Sequence, residues 1–127
     1  MDKEKYYKYM LLAAALYNWV NSTIFIIASL AMPDIFPMFG VVVPISNVWL
    51  HLALVFIFIF GIGYFMVSIN LKENHGLIVI GAMAKVSFFL ITLIYMVLED
   101  VGILVVLLGG IDILFVCLFI EFLFKYE

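Results

Sequence analysis

The stretch GLIVIGAMAKVSFFLITLIYMVL, from Gly76 to Leu98, holds 23 residues and a single charge, Lys85, near its middle. A helix of about 20 apolar residues crosses the ~30 Å hydrocarbon layer of a bilayer, so the stretch reads as a membrane span. A lysine at the centre of such a helix costs about 2.5–3.5 kcal/mol on insertion scales and is normally turned inward and paired. The acid able to meet it at similar depth is Asp112, in the stretch from Ile103 to Phe124. Lys85 lies roughly 14 Å from one end of its helix, and Asp112 roughly 14 Å from the opposite end of the next, at 1.5 Å per residue. Leaving either charge alone favours its neutral form, whereas pairing offsets much of the insertion cost.

Working outward, three further apolar runs of spanning length place helix one at about 7–31, helix two at 47–70 and helix four at 103–124, with helix three at 76–98. The chain is 69% hydrophobic, against roughly 45–50% in soluble domains. The predicted fold is all-α: an integral membrane four-helix bundle forming one transmembrane domain over residues 1–127. A net charge of −3 with scattered lysines gives no basic patch for nucleic acid. A lone cysteine, Cys117, excludes an intrachain disulfide, a CxxC redox pair and a cysteine-rich metal site. The run from Tyr9 to Met32 exceeds the roughly 7–15 residues of a signal-peptide core, so it reads as the first span.

All three prolines, Pro33, Pro37 and Pro44, fall between helices one and two, where no regular helix can run. The apolar Ile35, Phe36, Met38 and Phe39 suggest that loop 32–46 lies against the membrane surface as a loop or short helix. Ser46 or Asn47 is placed to cap helix two. Residues 71–75 and 99–102 make short turns, which force helices two, three and four to be antiparallel neighbours. Lys3, Lys5, Lys8, Lys72 and Lys125 all fall on one side, and the opposite loops carry Asp34, Glu99 and Asp100. Lysine in short loops stays cytoplasmic, so both termini are predicted cytoplasmic and the proline-rich loop outward.

The candidate polar core is Lys85, Asp112, Asn18, Asn21 and Tyr64. Asn18, Asn21 and Ser22 share one face of helix one at i, i+3 and i+4 spacing, near the depth of Lys85. The plainer account of them, which the residues favour, is interhelical hydrogen bonding at ~0.6 kcal/mol per contact, and that of the Lys85–Asp112 pair is a structural lock between helices three and four. A candidate outer mouth comprises His51, Glu99 and Asp100. There His51 is placed to pair with a carboxylate, or simply hydrogen-bonds at the interface. Trp19 lies too deep for an interfacial anchor and is placed to line a cavity. His75, in a polar turn, is expected in solvent. Glu121 is expected to snorkel or to pair with Lys125 four residues on. No metal-ligand spacing is present.

Gly61-Ile62-Gly63-Tyr64, the polar turn ending at His75, the segment from Ile80 through Gly81 and Ala82 to Lys85, and Asp112 together resemble the DoxX/DoxD-like superfamily of small four-helix membrane proteins. The chain differs in reading Asn70-Leu71 where related sequences tend to carry Asp-Pro. The resemblance implies an inner-membrane bundle, in some relatives an accessory or quinone-linked subunit of an oxidoreductase. Quinone is the only cofactor it suggests.

Three functions fit these residues. The favoured one is a non-enzymatic membrane protein, whose polar core binds a small ligand or which serves as a subunit of a larger membrane complex. No nucleophile–base pair or cofactor motif appears, and almost no extramembrane mass is left to do chemistry. The second is a small-molecule or proton-coupled transporter acting as a homodimer. The third is the quinone-linked subunit, with Lys85, Asp112 and Tyr64 around the head group. The expected partners are the lipid bilayer, a second copy or a larger membrane complex, with no nucleic acid.

Overall fold

Asp2 accepts a hydrogen bond from the Glu4 amide at 3.3 Å and starts the first helix at Lys3, one turn before the expected Tyr7. A computed structural model describes residues 2–41, 46–98 and 101–126, with Phe39 described for its backbone only. Among them run α1 (Lys3–Ala31), α2 (Val48–Ile69), α3 (His75–Val97) and α4 (Ile103–Lys125). A short 3-10 helix, η1 (Pro33–Phe39), lies between the first two, and there is no strand. All four α-helices are long and apolar enough to cross a membrane. The 29 residues of α1 extend about 43 Å, so the turns bearing Lys3, Lys5 and Lys8 reach beyond the ~30 Å apolar layer.

Met32 ends α1 because Pro33 follows it and disfavours helical geometry in the preceding residue; its φ is −142°. Pro33 then opens η1 and Pro37 sits inside it. Gly40 closes η1 at φ +73°, a left-handed conformation that glycine adopts without penalty. It also lies so close to α4 that a Cβ there would stand 2.6 Å from the Cα of Gly102. The two glycines let the η1 cap dock backbone to backbone on the start of α4. Gly40→Ala is expected to lower global stability by only about 1–2 kcal/mol, the penalty for a left-handed alanine, since the cap can lift away from Gly102. The sharper readout is hydrogen exchange: the Gly40 and Val41 amides, bonded to the Pro37 and Phe36 carbonyls, should exchange faster in the variant. Unchanged exchange would mean that the cap is not held by this contact.

The chain packs as two antiparallel hairpins, α1 against α2 and α3 against α4, while α2 touches α3 less extensively and α1 meets α4 at few points. At the end holding both termini the hairpins close on one apolar core that includes Leu11, Tyr64, Val67, Ile78, Phe119 and Phe122. Polar side chains tie the termini across this end. Tyr7 donates to Glu121 at 3.2 Å, Tyr126 to Glu4 at 3.3 Å, and the Lys3 ammonium to the Lys125 carbonyl at 2.5 Å. Glu121, expected to snorkel or to pair with Lys125, instead faces α1 and accepts a cross-bundle bond from Tyr7. His75 is corrected too: it is half-buried, with its ring nitrogen 2.5 Å from the Leu71 carbonyl and its ring against Phe122. Leu71, buried in the core, draws the turn inward.

Large apolar side chains on the outward faces, among them Ile24, Leu30, Trp49, Phe56 and Leu114, remain exposed. These faces contact the lipid bilayer, which as an apolar solvent imposes no drive to bury them.

Candidate intramembrane binding site

The site begins with a close approach of α1 and α2. Asn18 donates to the Ile57 carbonyl at 3.0 Å, and the Trp19 indole to the neighbouring Phe58 carbonyl at 3.2 Å. Gly61 makes room for the indole: a Cβ there would stand 2.6 Å from its nitrogen. Trp19 therefore fills the α1–α2 interface, beside Phe58 and Phe65. It does not line the cavity expected of it.

A second close approach builds the other hairpin. Gly109 of α4 faces the Phe89 backbone, whose Cα would lie 3.2 Å from an added Cβ. Lys85 of α3 and Asp112 of α4 then meet, Nζ to Oδ1 at 2.5 Å. Lys85 also donates to the Asn18 Oδ1 at 3.1 Å, so one ammonium joins α1, α3 and α4. Three rings surround it, with Nζ 5.4 Å from the Tyr17 centroid, 5.5 Å from Tyr64 and 5.3 Å from Phe115. Desolvated cation–π contacts are worth about 2 kcal/mol. A buried ion pair overcomes its desolvation penalty only when geometry is good and further polar contacts complete both groups. Asn18 and the three ring faces provide that completion here.

A cavity of about 250 Å³ adjoins this cluster. Tyr17, Asn18, Asn21, Tyr64, Lys85 and Asp112 all contribute to its wall, and Phe36 and Val41 bring in the η1 region. Since the terminal half is filled by the apolar core, the cavity occupies the η1 half of the bundle. Its remaining walls are mostly apolar, from residues such as Phe25, Leu54, Ile57, Phe88 and Val105. Tyr17 borders the sparse α1–α4 seam, which it bridges by donating to the Leu108 carbonyl at 2.9 Å.

The structure thus brings together all five residues of the predicted polar core. Asn21 faces the cavity while donating to the Tyr17 carbonyl at 2.9 Å. The predicted outer mouth is different. His51 Nε2 lies 2.8 Å from Ser29 Oγ, joining α2 to α1, and Glu99 and Asp100 lie outside the described residues. Sequence reasoning missed Tyr17 and Phe115. Tyr17 carried a usable signal: it adjoins Asn18 in the middle of its helix, away from the interfacial belts where tyrosine usually anchors. Phe115 carried one too, since it lies three residues from Asp112 and so on the same face of α4. Among the described residues no three His, Cys, Asp or Glu side chains converge as a metal site requires. No protein-family model, curated protein or solved structure matches the chain.

Proposed function

We propose that this is a non-enzymatic membrane protein that binds a small, largely apolar molecule in the cavity of its η1 half, with Lys85, Asp112 and Asn18 as the polar end of the site. The observation that carries the reading is the meeting of a cavity of about 250 Å³ with the one buried ion pair among the described residues. A dry cavity of about 150 Å³ accommodates benzene, so this one has room for a fused ring or a ring with a short chain. Mostly apolar walls with a few convergent polar groups are the usual make-up of small-molecule sites. The reading places both termini and the five flanking lysines on the cytoplasmic side of an inner membrane, which puts the cavity in the outward half. It keeps the DoxX/DoxD-like resemblance as a proposal, on Gly61, Gly63, Tyr64, Gly81, Lys85 and Asp112.

Gentle extraction followed by native mass spectrometry tests this. Wild type should carry a small-molecule adduct, and Val105→Phe, which fills the cavity from α4, should lose most of it while keeping its thermal stability within about 1–3 kcal/mol, the ordinary range for an added side-chain volume. An adduct retained in full by Val105→Phe and by a second filling variant, Ala84→Leu, would place the bound molecule elsewhere and defeat the reading.

A further inference from the structure

The groups at the polar end of the cavity differ in how much of each is still open. The Lys85 side chain is 5% exposed, held by Asp112, Asn18 and three aromatic rings, whereas that of Asp112 keeps 13%. Both border the cavity, so the carboxylate is the more open partner. Four residues of the wall already direct a donor elsewhere. Tyr17 donates to Leu108 O, Asn18 to Ile57 O, Asn21 to Tyr17 O, and Ser22 to Asn18 O at 2.8 Å. The charged group most open to an incoming molecule is thus an acceptor, the Asp112 carboxylate. The pair itself carries no net charge. An ionised ligand would leave water for a cavity with no opposite charge left to balance it, and a buried unbalanced charge is strongly disfavoured.

We infer that the ligand is an electrically neutral, ring-bearing molecule with a hydrogen-bond donor, a hydroxyl or N–H, that it presents to Asp112 at mid-membrane while its apolar body points toward Phe36 and Val41. The inference rests on the ligand-binding reading above and narrows it to one chemical class. It ranks below this class the molecules whose polar atoms are all acceptors, which can make no hydrogen bond to the Asp112 carboxylate. It sets aside carboxylates and amines that are charged at neutral pH.

Four probes on one ring system separate these cases: naphthol, naphthyl methyl ether, naphthoate and naphthylmethylammonium. Their binding is read as the shift in thermal unfolding of the full chain in lipid nanodiscs, with Val105→Phe and Ala84→Leu as cavity-filled controls that subtract partitioning into lipid. Naphthol should raise the wild-type Tm and leave both controls unchanged. The methyl ether should bind roughly tenfold more weakly, the usual loss when a hydrogen bond to a charged group is removed, and the two ions should give no specific shift. An ether that equals naphthol, or an ion that exceeds it, overturns the inference while leaving the binding function intact. If no probe gives a shift that depends on the cavity, the binding reading itself fails.

Discussion

Asp112→Leu is expected to destabilise the protein by about 3–5 kcal/mol, the range found when one partner of a buried ion pair is removed. The cause is the ammonium left behind: Lys85 sits 5% exposed among Asn18 and three aromatic rings, with no second carboxylate described beside it. Lys85→Met should cost a similar amount, since it strands Asp112. An upper limit follows from proton chemistry. Neutralising an ordinary carboxylate at neutral pH costs about 4 kcal/mol and an ordinary lysine about 5, so neither single loss should greatly exceed those figures. The double variant Lys85→Met with Asp112→Leu removes both charges and keeps similar volume. It should recover to within about 1 kcal/mol of wild type, because replacing a buried pair by apolar side chains is often neutral or stabilising. Reversible unfolding in mixed micelles gives all three values. Single variants within about 0.5 kcal/mol of wild type, the ordinary range for inconsequential surface changes, would show that the pair is not the link between α3 and α4. The restored double variant also separates stability from function: it should fold yet fail to bind a donor-bearing molecule, having lost the carboxylate that would receive the donor.

The features legible in the sequence were those that obey a one-dimensional rule. Four apolar runs gave the helices, because the bilayer imposes a length. Lys85 and Asp112 were paired from their depths, because rise per residue converts position into height whatever the side packing. Asn18 and Asn21 followed from helical spacing. Features set by the rotation of one helix against another were not legible. In α4 the apolar pattern itself marks no inward face, and only the i+3 spacing from Asp112 points to Phe115 beside Lys85. Glu121 has Lys125 four residues away, yet its hydroxyl partner Tyr7 is 114 residues distant. Trp19 was read at the right depth and the wrong azimuth, since Gly61 opposite it admits the indole between α1 and α2. The cavity belongs to the same class. It exists because the hairpins close tightly at the end holding the termini and less so at the other, a property of the assembled bundle.

Glycine substitutions give the other large expected contrast, and here two opposing effects must be weighed. In a helix interior, Gly→Ala gains up to about 1 kcal/mol from backbone entropy and propensity. At Gly110 a new Cβ meets nothing within 4 Å, so Gly110→Ala should be neutral or stabilising by up to about that amount. At Gly81 the same Cβ would stand 2.6 Å from the Tyr64 hydroxyl and 2.9 Å from its ring carbon Cζ. An end-group clash is cheap when the side chain can swing aside, but Tyr64 is 1% exposed, with Phe119 at 5.0 Å between centroids and Lys85 over its face. The ring cannot move without disturbing the ion pair. Overpacking a tight core costs about 1–3 kcal/mol, which exceeds the propensity gain, so Gly81→Ala should be net destabilising. The two alanines should therefore differ by roughly 2–3 kcal/mol in unfolding free energy although both replace a helical glycine. Adding Tyr64→Leu to Gly81→Ala should bring the pair closer to Tyr64→Leu alone than additivity allows, because the clash is gone. A strictly additive result would mean that Tyr64 relaxes freely and that Gly81 is not what fixes its ring beside Lys85.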